Sequence, residues 1–208
     1  MGARFLDDEA RAAFKQAIEA VENASAVEVV IAVRRRSHRY LHANVVVGAL
    51  LAFVGLAVML FAEHTFSLTS ILIDPFVVAL LGGAVVELTP AIKRLLTTPA
   101  ARRTHVARAA RATFVERGVH YTIGRTGLLV YCSWVERQIA LVADIGLAEA
   151  LPDGALVKLE ASLTAAMSRG GAAVARALAA SAEQMAQALP HADDDVNELP
   201  DEIDEERR

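Results

Sequence analysis

The chain has 208 residues, 54% of them hydrophobic but only 5% aromatic, with one cysteine and a formal net charge of -4. That length suits one soluble core plus a membrane segment and excludes two independent globular domains with an anchor besides. Cys132 stands alone, so an internal disulfide is excluded and stability must come from packing.

The charge is unevenly placed. Residues 190–208 hold nine acids against two arginines, a contribution of -7 that leaves +3 for the rest of the chain. Arg34, Arg35, Arg36 and Arg39 precede a long apolar block, and Lys93, Arg94, Arg102, Arg103, Arg108 and Arg111 follow it. This is the pattern of a membrane surface. No basic run alternates with aromatics and no nucleic-acid reading module follows, so nucleic acid is not an expected partner.

Taken in chain order, Met1 to Glu9 turns acidic before any apolar run, which predicts neither a signal peptide nor N-terminal processing. Leu6 stands where myristoylation requires Ser or Thr. Asp7 or Asp8 caps a helix running to about Glu22, with Ala10, Phe14, Ala17, Ile18 and Val21 as its core stripe. Val27 to Val33 is rich in β-branched residues, which crowd a helix but suit a pleated sheet, and predicts a first strand.

Two apolar runs follow, with spans at about residues 43–62 and 71–88, each near the roughly 20 residues that a helix needs to cross hydrocarbon. No lysine or arginine occurs from Val45 to Leu88, so the positive-inside rule places both flanks in the cytoplasm and residues 63–70 outside. Asp74 with Pro75 falls in the first turn of the second run and Glu87 in its last, which suits interface positions better than a transport pathway. Gly48, Gly55, Gly82 and Gly83 provide places for close helix approach. A buried hairpin in a soluble helical protein is the competing reading, and two such long runs joined by a short polar stretch argue against it.

Beyond Pro90 a short helix to Leu96 and a clearer one from Arg102 to Arg117 are predicted, the latter with Val106, Ala109, Ala110, Thr113 and Phe114 on one face. A turn at Gly124-Arg125-Thr126-Gly127 then leads into strands at 128–134 and 138–144, close enough to form an antiparallel hairpin. Its tip, Glu136-Arg137, reads as a charged turn, and Trp134 as a packing or membrane-facing aromatic. Two alanine-rich helices, at about 155–168 and 171–189, complete the domain. The expected organisation is residues 1–37 and 101–189 as two parts of one cytoplasmic domain, residues 38–100 as a transmembrane hairpin with its flanks, and residues 190–208 as an acidic disordered tail.

The segments at 13–33, 123–147 and 159–189, with their order of helix, Glu-bearing strand, Gly-Leu-Leu hairpin and closing helices, resemble the TPM domain family of thylakoid lumenal and related proteins. The resemblance implies an α/β, three-layer domain in which a small mixed sheet is covered by helices. The inserted two-helix hairpin would mark a bacterial membrane subgroup, in the inner (cytoplasmic) membrane with both termini cytoplasmic. It also implies a metal-dependent phosphatase-like activity as an alternative, with acids at one sheet edge binding Ca or Mg. Glu28 matches the family's acid at the start of the first strand and Asp144 lies at the corresponding strand end, as candidate metal ligands. Arg125 stands where the family often has an acid or Asn.

Each candidate carries two readings. Asp144 either ligates a cation or caps the turn at Ile145-Gly146, and Glu28 either joins it or sits on the wet face of an edge strand. Arg125, with the turn amides around Gly127, either binds an oxyanion cofactor or is a solvated turn arginine. Cys132 has no histidine near it in sequence and reads as a buried small hydrophobe. The histidines show no metal-ligand spacing, and no phosphate-binding glycine loop or zinc-hydrolase motif is present. The reading that asks least of these residues is a membrane-tethered binding or assembly module, with the bilayer and a protein partner or second copy as its contacts.

Overall fold

The computed structural model describes residues 5–38, 41–191, 198–200 and 203–205. It divides into two compact units, Met1–His38 with Arg102–Arg208, and Arg39–Ala101.

In the first unit, α1 (Asp8–Glu22) starts where Asp7 accepts the Ala10 amide at 2.8 Å, and it buries Ala10, Phe14, Ala17, Ile18 and Val21. β1 (Val29–Arg34) pairs in parallel with β2 (Leu128–Ser133), which pairs antiparallel with β3 (Gln138–Ala143). A fourth, two-residue strand, β4 (Asp204–Glu205), lies parallel to β1 on its other side, giving the order β3-β2-β1-β4. Every residue of β2 is buried, as a central strand between two helical layers requires.

Alternation along the strands separates two cores. Val29, Ile31, Val33, Leu128, Val130 and Cys132 face α1, α7 (Ala155–Ala166), α8 (Gly171–Ala179) and α9 (Ala182–Ala188). Val30, Ala32, Leu129 and Tyr131 face α5 (Pro99–Glu116) through Val106, Ala110 and Phe114. The result is a mixed four-stranded sheet surrounded by helices. Two elements differ from the sequence expectation. The last alanine-rich segment is two helices, interrupted where the Ser181 hydroxyl turns back to the Leu178 carbonyl at 2.6 Å. A helix unforeseen in the sequence, α6 (Ile145–Ala150), begins directly after β3.

The hairpin tip is also unlike its expectation. Glu136 is buried, accepting the Ser133 hydroxyl at 2.5 Å and the Ser37 amide at 3.0 Å. Trp134, by contrast, takes the packing role that is one of its two readings, its ring centroid 5.6 Å from that of Phe5. The acidic tail, expected to stay unordered, contributes β4 and the buried Leu199; apolar Leu199 and Ile203 give it the purchase that its acids alone lack. The tail's residues 192–197, 201–202 and 206–208 lie outside the described residues.

In the second unit, α2 (Leu41–Phe61) and α3 (Leu68–Leu88) pack together, and α4 (Pro90–Leu95) follows. α2 and α3 each hold a stretch long and apolar enough to cross a membrane, with 6% and 11% of those stretches buried. A Cβ on Gly48 would lie 2.7 Å from the Ala79 carbonyl oxygen, and one on Gly82 would lie 2.5 Å from Leu51 Cδ1, so these glycines set the approach; Gly55 faces open space. Ser67 caps α3 by accepting the Ser70 amide at 3.0 Å, which starts the helix earlier than expected and leaves Pro75 inside it rather than in its first turn. Glu87 accepts from Asn44 Nδ2 at 2.9 Å and pairs at 2.7 Å with Lys93 of α4, a buried lysine that also donates to the Glu87 carbonyl at 3.0 Å at the end of α3.

Candidate functional site

The strand register brings the sequence candidates to one end of the sheet. The Leu128 amide donates to the Glu28 carbonyl at 2.7 Å and the Asp144 amide to the Gly127 carbonyl at 2.9 Å. Glu28, Gly127 and Asp144 therefore stand side by side across β1, β2 and β3, and the two acids are two strand spacings apart, about 10 Å. Alternation points both toward the α5 side of the sheet.

What lies between the acids decides their chemistry. A Cβ on Gly127 would sit 2.1 Å from the carbonyl oxygen of Val119, which belongs to the 3-10 turn Val119–Tyr121. That backbone fills the space where two carboxylates would have to converge. Glu28 is buried and its Oε2 accepts the Leu199 amide at 3.2 Å, so it does not lie on a wet face. Asp144 is also buried. It accepts two hydrogen bonds from Arg125, Nε to Oδ2 at 2.7 Å and Nη2 to Oδ1 at 2.9 Å, and the Ile145 amide at 2.8 Å, which starts α6.

The expected Ca or Mg site is thus overturned. Among the described residues no group of three or more His, Cys, Asp or Glu side chains is placed to hold a metal ion. A hard cation wants several converging oxygens, and here a guanidinium occupies both oxygens of one acid while a protein backbone separates it from the other. The sequence carries a signal for this outcome: a basic residue in the turn that leads into β2 is at hand as the counter-ion of the acid that ends β3.

Arg125 is held by its turn. Its backbone is left-handed, φ 54°, and the turn is fixed by the Arg125 amide on the Thr122 carbonyl at 3.1 Å and the Thr126 amide on Thr122 Oγ1 at 2.9 Å. The hydrogen bonds to Asp144, followed by its charge, raise the Arg125 guanidinium above its ordinary value. The side chain is about half exposed and its fork is engaged with Asp144. Thr122, Val119 and Leu199, which the sequence reading passes over, supply the packing that shapes this end of the sheet.

Cys132 is fully buried in β2, and burial alone pushes its thiol from 9.0 up to about 12. The unfolded chain releases this proton first, so the thiol's contribution to stability is intact below pH 9.0 and is lost as pH rises toward about 12. Native protein should leave the thiol unreactive toward a chromogenic disulfide at neutral pH, with one equivalent reacting only after denaturation. Rapid stoichiometric reaction of the folded protein would contradict this burial.

No family model and no curated relative matches the chain. Among solved structures, it is similar to the NMR structure of BA42 protein from the psychrophilic bacterium Bizionia argentinensis, with a TM-score of 0.59, 13% identity and 99% of each chain covered. Likeness at that identity speaks for the fold. The mixed four-strand sheet surrounded by helices is consistent with the TPM-like α/β fold that the sequence resemblance implies.

Proposed function

We propose that this chain is a membrane-tethered binding or assembly module, in which α2 and α3 cross a bacterial inner membrane as a hairpin. Residues 63–70 then lie outside, and the sheet-bearing unit and both termini lie in the cytoplasm. Arginine-rich flanks around a stretch free of lysine and arginine support that orientation. One observation carries the choice of binding over hydrolysis: the two acids best placed for chemistry are both committed to their own chain, Asp144 to Arg125 and Glu28 to the Leu199 amide. Phosphoryl transfer needs a positioned nucleophile and several groups converging on the phosphoryl oxygens. Cys132 is buried with its thiol held protonated, and Ser133 is buried against Glu136. Arg125 and Gly127, read as an oxyanion site, would have to compete with Asp144 for the same guanidinium.

The test is a phosphomonoester assay on purified full-length protein in detergent, with and without added divalent cations, alongside calorimetric titration with inorganic phosphate. The expected result is no turnover above buffer and no saturable phosphate binding. Turnover that survives purification and disappears in Arg125→Ala would replace the binding reading with an enzymatic one.

A further inference from the structure

The two edges of the sheet are finished differently. On β3, the amides of Ile139 and Leu141 donate to Thr164 Oγ1 at 3.3 Å and Glu160 Oε2 at 3.0 Å, so side chains of α7 close that edge. On β1 the covering is another piece of backbone, with Ala32 opposite Asp204 and Val33 opposite Glu205. Among the described residues this ladder has two pairs, beside the about 5–6 residues of an ordinary strand. Those two pairs alone hold the segment weakly.

The side chains around β4 show what such a segment must bring. Arg34 on β1 donates to the Asp204 carbonyl at 2.6 Å and pairs with its carboxylate, whose other oxygen pairs with Arg117, next after α5. Arg11 on α1 pairs with Glu205. Three arginines from three elements thus converge on two consecutive acids. The Arg34 and Asp204 side chains are only 16% and 11% exposed, so removal of the acid would strand a largely desolvated guanidinium. Apolar anchors accompany the acids: Leu199 enters the α5-side core and Ile203 packs on the α1-side core. The segment straddles the sheet edge, with an apolar residue for each layer and carboxylates for the arginines.

We propose that the β1 edge is a docking groove for an acidic, extended protein segment running parallel to β1, which the chain's own tail occupies until such a segment displaces it. This rests on the binding-module reading and deepens it by naming the chemistry of the partner. Strand addition supplies affinity through backbone pairing and specificity through alternate side chains. Arg34, largely desolvated beneath the segment, selects an acidic occupant, because a neutral strand would leave its charge uncompensated. Tethering gives the tail a high effective concentration, so a free peptide competes poorly with it in the intact chain.

The probe is a dye-labelled synthetic peptide with the sequence of residues 198–208, titrated by fluorescence anisotropy against full-length protein in nanodiscs. Full-length protein carrying D204K and E205K, which repel the tail from the arginines, should bind the peptide at least tenfold more tightly than wild type does. Binding should weaken as salt rises and be lost when Arg34→Glu is added. A scrambled peptide of the same composition should bind at least tenfold more weakly. Equal affinity of both proteins, equal affinity for the scrambled peptide, or no binding to a tail variant whose melting curve matches wild type would each overturn the proposal. Should the variant fail to fold, wild type decides: saturating peptide should speed hydrogen exchange at amides 203–205, and unchanged exchange would overturn the proposal. Absence of peptide binding leaves the module reading standing, whereas phosphatase turnover would remove that reading without touching the edge.

Discussion

Gly127→Ala is expected to destabilise the sheet-bearing unit by about 3 kcal/mol, toward the upper end of the usual cost of overpacking a core. The new methyl would lie 2.1 Å from the Val119 carbonyl oxygen and 2.9 Å from Val119 Cγ1. The first obstacle is backbone, which cannot rotate away as a side-chain end can. Relief would require the 3-10 turn to lift from the sheet, uncovering Leu129 and the neighbouring α5 core. For a unit of this size the midpoint of thermal unfolding should fall by about 6–12 °C. Near-ultraviolet circular dichroism of the detergent-solubilised protein would read it. Gly124→Ala is the matched comparison, since its nearest obstacle is Thr126 Cγ2 at 3.1 Å, a side-chain end able to adjust. A Gly127→Ala protein that melts with wild type would mean that the turn does not sit where it is described.

Glu136→Ala should cost nearly as much, about 2–4 kcal/mol, because it removes a buried carboxylate that is the shared acceptor of one buried and one half-buried donor. The Ser133 hydroxyl and the Ser37 amide lose their carboxylate together. The backbone next to them is joined across the same place, with the Trp134 amide on the Arg34 carbonyl at 3.1 Å and the Val135 amide on the Arg35 carbonyl at 2.9 Å. Glu136 therefore fastens the chain following β1 to the β2–β3 hairpin. Glu136→Gln keeps the shape and one carbonyl acceptor and should lose less than half as much. The comparison is a pair of denaturant titrations; equal losses for Ala and Gln would point to the charge rather than the hydrogen bonds as the stabilising feature.

These two residues show what the sequence makes legible and what it hides. The stripe of Phe14, Ile18 and Val21 and the β-branched run of β1 are local patterns, and their burial follows from period alone. The parallel pairing of β1 with β2 joins residues about a hundred positions apart, and of it the sequence shows only that lone strands need partners. Glu136 reads as a solvated tip because charge usually marks exposure. Its burial depends on Ser37, brought to it by that long-range pairing. The acidic tail misleads in the same way: nine acids argue for solvent, and the arginines that hold two of them come from α1, β1 and the end of α5. The sequence resemblance implies that Glu28 and Asp144 share one sheet edge, whereas the turn that separates them becomes visible only through the space that Gly127 leaves for Val119.

Membrane tethering with the folded unit inside is the claim on which the rest depends, and single-cysteine labelling tests it most directly. The buried Cys132 stays silent toward a polar maleimide, so no cysteine-free background is required. In intact cells, Thr65→Cys should label with a membrane-impermeant maleimide, while Glu149→Cys, on α6, should label only after the membrane is opened. Protection of Thr65→Cys in intact cells, or labelling of Glu149→Cys without permeabilisation, would contradict the account.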